Sequence, residues 1–243
     1  MSRSLVPTVP PVTVVPLPLG TVTLPTQHPR ASAGSCPIVT HVINHPDGLI
    51  VVDTGARQGH PVIDELYAPD VCTIIEALHT AGLDERDVTA VVNSHLHFDH
   101  CGNNHLLDHA PVWLCAAEVQ AATAELYTVP DWATVPDARL RLSTDGEEIA
   151  SGVSVLHTPG HTPGHQSVSV ETANGLELLA GQACWTCREF ETTTAASSDA
   201  HDETWRAAAA DSLQRLRDLQ PQRAHFAHDT ATWEPTRDGR PRQ

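Results

Sequence analysis

Lysine is absent from this chain: all 14 of its basic side chains are arginines, set against 30 acidic ones, for a formal net charge of −16. A field of that sign repels phosphate backbones and anionic lipid, which excludes nucleic acid and membrane surfaces as partners. Also lacking is any uninterrupted apolar run long enough to span a bilayer. The apolar start, MSRSLVPTVPPVTVVPLPLG, is broken by five prolines and suits neither a secretory segment nor a spanning helix. A cytoplasmic location is the expectation. Six cysteines (Cys36, Cys72, Cys101, Cys115, Cys184 and Cys187) are scattered too widely for the framework of a stapled secreted domain. What is present is ordinary globular material, 40% hydrophobic and 18% charged over 243 residues, enough to bury one large core.

The chain reads as one domain over residues 1–243, opened by an extended Pro-rich arm over 1–20 that suits an edge strand. Ile38–Asn44 and Leu49–Asp53 form a hairpin signal around His45-Pro46-Asp47-Gly48. A helix is predicted from an Asp70 cap, with Val71, Ile74, Ile75 and Leu78 on one face and Gly82 as its stop. Val88–Val92 is a short buried strand, and so is Pro111–Leu114. An Ala-rich helix follows over Ala116–Leu126, then a loop-like stretch from Tyr127 to Pro136 suited to covering a site. Val153–Leu156 is a strand, Ser167–Val170 and Leu176–Leu179 a hairpin across Asn174-Gly175, Asp202 the start of the last helix, and Arg223–His228 the final strand.

Sixteen histidines are many for this length, and their clustering is informative. His95-Leu96-His97-Phe98-Asp99-His100 puts four coordinating side chains within six residues directly after a buried strand, where sites of such folds lie. Neither helix nor strand aims these spacings at common points, so a loop is required. From it His95 and His97 converge on one ion while Asp99 and His100 turn toward a second. His157, His161 and His165 stand in a second, Pro/Gly-framed run, which presents at most one or two of them as ligands and leaves the others to hydrogen bonding or packing.

HLHFDH followed by TPGHTPG resembles the metallo-β-lactamase superfamily. Within it, HTPGHTPGHQS and the closing His225-Phe226-Ala227-His228-Asp229 are similar to the N-acyl-homoserine lactone lactonases, a resemblance running from about Ile38 to Asp229. It implies an α/β fold, the four-layer αβ/βα sandwich. It implies that His95, His97 and His161 hold one metal and that Asp99, His100 and His228 hold another. Asp53, in Val51-Val52-Asp53-Thr54-Gly55, matches the family's carboxylate behind the ligands, suited to fixing an imidazole's tautomer. His165 is placed with it as a supporting residue.

Two departures stand out. Gln182 occupies the position where the family usually carries an aspartate bridging the metals. A neutral amide offers one oxygen and no charge, so Gln182 is a weak metal-site member and a second ion should bind less tightly. Trp185 stands where the best-known lactonases carry a substrate-contacting tyrosine; an indole donates one hydrogen bond and stacks but is no phenol-type acid.

The expected activity is metal-dependent hydrolysis of an ester-like carbonyl by metal-activated hydroxide, a lactone in the first place, with Asp99 shuttling the proton. The ligand set suits one or two zinc ions, with iron or manganese as alternatives. A thioesterase of the hydroxyacylglutathione type is the main alternative. A catalytically weak metal- or small-molecule-binding homologue is a second one, on account of Gln182. The expected partner is a small ester or lactone, and a homodimer is compatible with this reading.

Overall fold

Strands that are apolar on both faces, rather than alternating, belong to sheets covered on both sides, and this pattern dictates the architecture. The computed structural model describes residues 11–192 and 203–235. In chain order the elements are β1 (Thr13–Thr23), β2 (Ser35–His45), β3 (Gly48–Val52), α1 (Pro61–Tyr67), β4 (Asp70–Val71), α2 (Ile74–Thr80), β5 (Val88–Val92), α3 (Phe98–Cys101), β6 (Val112–Cys115), α4 (Ala116–Ala121), α5 (Pro130–Ala133) and β7 (Leu140–Ser143). There follow β8 (Glu147–Ala150), β9 (Val153–His157), β10 (Gln166–Thr172), β11 (Gly175–Leu179), α6 (Cys187–Thr192), α7 (Glu203–Asp218), β12 (Arg223–Phe226) and β13 (Asp229–Trp233). They build a seven-stranded sheet, β4-β1-β2-β3-β5-β6-β7, and a six-stranded one, β13-β12-β11-β10-β9-β8.

Successive side chains of one strand enter different layers, as the period of two demands. Val42, Val51 and Val91 pack outward against Ile63 of α1 and Ile74 and Leu78 of α2. Their neighbours Ile43, Ile50, Val52 and Val92 point the other way and meet Val153, Val155, Val168, Val170 and Leu179 of the second sheet. On that sheet's far face Leu178 joins Phe190 of α6 and Leu213 and Leu216 of α7. Helix, sheet, sheet, helix: the four-layer sandwich follows from three apolar seams.

Several boundaries differ from the expectation. β1 pairs with β2 over most of its length, while only Gly20 and Thr21 pair on its other side, with β4. From Thr13 onward the arm is thus a paired strand, and Pro16 and Pro18 sit where a strand is open along one edge, the place that tolerates a missing N–H. α2 is capped by Thr73 rather than Asp70: the Glu76 N–H donates to the Thr73 hydroxyl at 3.2 Å and the Thr73 N–H donates to the Glu76 carboxylate at 2.8 Å. This reciprocal cap leaves Asp70 and Val71 to pair as β4. The Ala-rich helix stops at Ala121, because the Tyr127 phenol donates back to Glu118. A continuous helix would carry Tyr127 about 13 Å along the axis from that carboxylate. The Tyr127–Pro136 stretch is irregular apart from α5, which Pro130 opens. The strand expected over Arg223–His228 ends at Phe226 and is not the last, so His228 lies in the turn before β13. Asp202 lies outside the described residues. Among those described, no helix is long and apolar enough to cross a membrane.

Candidate metal centre

The ends of five strands meet at one edge of the sandwich. β5 runs through Asn93 and Ser94 into His95 and His97, and the short α3 carries Asp99 and His100. The β9–β10 loop contributes His161, the turn after β12 contributes His228, and Asp53 and Gln182 follow β3 and β11. Asp53 has φ 64°, a left-handed conformation that Asp adopts more readily than most residues. Gly181, at φ 58°, lets the end of β11 lie against the site: a Cβ there would sit 2.8 Å from Ser94 Cβ and 2.9 Å from His165 Nε2.

Two clusters result. His95, His97 and His161 form one and Asp99, His100 and His228 the other, each with its candidate donor atoms within 4.8 Å of one another. In the first, His95 Nε2 and His161 Nε2 both lie 3.1 Å from His97 Nδ1. Tetrahedral ligands at zinc–nitrogen distances of about 2.0–2.1 Å stand roughly 3.3 Å apart, so the spacing fits. The Nδ1 of His161 is buried without a partner, and burial together with the neighbouring imidazoles holds both His95 and His161 well below the usual histidine pKa. They are neutral, the form a metal needs.

In the second cluster the protons are committed elsewhere. His100 Nδ1 donates to Asp53 Oδ2 at 2.8 Å, and His228 Nδ1 donates to the Pro37 carbonyl at 3.0 Å. Their Nε2 atoms therefore face each other bare at 3.3 Å, with Asp99 Oδ2 3.7 Å from each. Three acceptors converging without a donor call for a cation or a proton. Burial lowers the His100 pKa, yet the charges of Asp53 and Asp99 and hydrogen bonds to Asp53 and Gln182 outweigh it and push it up to about 9. Burial opposes ionisation of Asp99, but His100, His228 and His97 hold its carboxyl below its ordinary value.

The supporting residues fall where their chemistry is needed. The Ser94 N–H and hydroxyl each donate to Asp53 at 2.7 Å, which locks that carboxylate against His100. His165 lies 5.5 Å from the His95 ring but commits both nitrogens elsewhere: its Nε2 accepts the Gln182 N–H at 2.9 Å and its Nδ1 donates to the Thr158 carbonyl at 3.1 Å, with burial pulling its pKa down to about 3. Gln182 Oε1 lies 3.1 Å from His100 Nε2. The Trp185 ring packs on His228 with centroids 4.4 Å apart, the Arg30 guanidinium sits 4.5 Å over the indole, and Trp185 Nε1 is buried without a partner. His157 is not brought to the centre; its ring bonds to Ser143 at 3.2 Å. Cys101 is buried and hydrogen-bonded to the Leu96 carbonyl, with burial pushing its thiol pKa well up.

Three contributors escaped the sequence reading. Glu118, the acid in the first turn of the Ala-rich helix, is fully buried. Tyr127 packs on His97 with centroids 4.8 Å apart, and Tyr67 on Phe98 at 4.5 Å. With Phe98, Leu96, Leu66 and Val129 these tyrosines line a cavity of about 950 Å³. The placement of a covering loop at Tyr127–Pro136 was the available signal for it.

Known proteins share this fold. The metallo-β-lactamase superfamily model matches residues 33–228. A Bacillus sp. N-acyl homoserine lactonase is 31% identical over 170 residues, 64% of this chain and 67% of the relative. A mutant Bacillus thuringiensis N-acyl homoserine lactonase, solved with N-decanoyl-L-homoserine at its active site, superimposes with TM-score 0.76 at 25% identity over 92% of this chain and 94% of that one. A dizinc quorum-quenching lactonase, 15% identical, shares the fold with TM-score 0.69 over 89% and 87% of the two chains. With four sandwiched layers, two histidine-rich clusters at the strand ends and a family match across most of its length, the chain belongs to the metallo-β-lactamase superfamily and is one of its hydrolases.

Proposed function

We propose that the protein is a metal-dependent lactonase acting on lactones with an apolar acyl chain. The observation that carries this reading is the cavity of about 950 Å³ walled by Phe98, Tyr67 and Tyr127, beside the His95–His100 segment that contributes to both clusters. His95, His97 and His161 hold one divalent ion, and Asp99, His100 and His228 a second. Zinc suits this donor set best, with iron and manganese as alternatives. A bound ion supplies Lewis acidity, lowering the pKa of water toward about 7 and polarising a carbonyl.

The chain's own groups do the rest. Asp99 lies between His100 and His228. Its carboxylate takes the proton of the attacking water and returns it to the ring oxygen as the acyl C–O bond breaks. Trp185 packs on His228 and buries an indole N–H that has no partner, which places it beside the second ligand set. Phe98, Tyr67 and Tyr127 shield the acyl chain from water, worth about 0.8 kcal/mol per buried methylene. A glutathione thioester, polar and anionic, fits neither these walls nor a net charge of −16. Gln182 favours the reading of a weakly catalytic binder.

The test is ring opening followed by pH-stat across N-acyl homoserine lactones of increasing chain length, beside a thioester panel, on protein of known metal content. Lactone turnover that improves with chain length is expected. Stoichiometric metal with no hydrolysis of any ester would overturn the proposal in favour of a binding role.

A further inference from the structure

We propose that Glu118 is a positioning residue that holds two metal-ligand loops in common register. The inference rests on reading His95, His97 and His161 as a ligand set. α4 leaves β6 directly, and its first turn drives Glu118 into the interior beneath those histidines. There its carboxylate gathers three neutral donors from three segments. Oε1 accepts the Leu96 N–H at 2.8 Å and the Tyr127 phenol, while Oε2 accepts the Thr162 hydroxyl at 2.7 Å. Leu96 is the residue between His95 and His97, and Thr162 follows His161. One carboxylate thus ties the two loops whose histidines must meet, and through Tyr127 it also fixes the ring that lies against His97.

Backbone packing reinforces the tie. A Cβ on Gly164 would sit 2.0 Å from the Glu118 nitrogen, so the histidine loop lies directly on the first turn of α4. Burying a carboxylate is costly unless its oxygens are satisfied, and here both are satisfied by the loops that carry the ligands. The choice of acid over amide follows. A glutamine has one acceptor oxygen and an NH₂ that donates, so it would serve Leu96 or Thr162 but turn a donor toward the other. Supporting carboxylates of this kind act on the metal through ligand orientation.

The experiment is cobalt(II) titration of the full chain, wild type beside Glu118→Gln, Thr162→Val and Tyr127→Phe, read by the visible ligand-field spectrum and by zinc competition. Glu118→Gln is expected to weaken metal affinity about 10- to 100-fold and to shift the spectrum, with smaller losses for the single-donor variants. Leu213→Ala, a buried site on the far seam, serves as control: it should lower the melting temperature without moving the spectrum. If Glu118→Gln fails to fold, Thr162→Val and Tyr127→Phe decide. Spectra and affinities within twofold of wild type in every folded variant overturn the role of Glu118 while leaving the ligand assignment standing. A wild-type protein that takes up no cobalt overturns the assignment itself.

Discussion

Asp53 and His100 are joined by a 2.8 Å hydrogen bond that settles which imidazole nitrogen is left for a cation. Asp53→Asn isolates the charge, since asparagine tolerates the left-handed backbone required there. The expected result is a loss of about 10- to 100-fold in affinity at the Asp99, His100 and His228 set, measured by zinc competition, with the fold intact by circular dichroism.

Gln182 brings an amide oxygen within 3.1 Å of His100 Nε2 but no charge. Gln182→Asp should raise occupancy of that second set, read as metal per chain after dialysis against limiting zinc. Unchanged content would remove Gln182 from the site.

Trp185 packs on His228 and carries a buried indole N–H without a partner. Trp185→Ala should lower kcat/KM for long-chain lactones by about tenfold or more and alter chain-length preference, while metal content stays near wild type. Loss of metal with no change in preference would instead make the indole a prop for His228.

Acid sensitivity has a contributor outside the centre. Burial, with the charge of nearby His225, lowers the His41 pKa from 6.5 to about 3. Below pH 6.5 the unfolded chain therefore binds a proton that the folded chain refuses, and stability falls as pH drops toward 3, by up to about 1.4 kcal/mol per pH unit. Urea unfolding of His41→Gln at a series of pH values should show a shallower acid limb than the parent. Parallel limbs would refute this.

The side chains that come together at the two clusters were legible because their chemistry is concentrated: HLHFDH carries four potential metal-binding side chains in six residues, directly after the apolar strand Val88–Val92. The four-layer sandwich was legible only through the family resemblance, and the apolar neighbours Val42 and Ile43 show why it holds, since they enter different seams on the two faces of one sheet. Strands β7, β8 and β13 were not legible, because they are short and half exposed: in Leu140–Ser143 only Ser143 is buried. Nor was Glu118 legible, because one acid in an Ala-rich helix carries no local mark of burial; its partners lie at Leu96, Tyr127 and Thr162, distances that pattern reading does not cross. Thr73 was passed over as a cap because Asp70 began the apolar periodicity earlier, whereas the Thr73–Glu76 pair satisfies two backbone donors at once.

His95 and His97 hang from one sheet and His161 from the other, so an ion held by all three would rivet the sandwich shut across its central seam. Removing it should loosen the joint between Val92 and Val155 before either sheet frays, and chelators would then act on this protein as denaturants of its middle rather than of its rim.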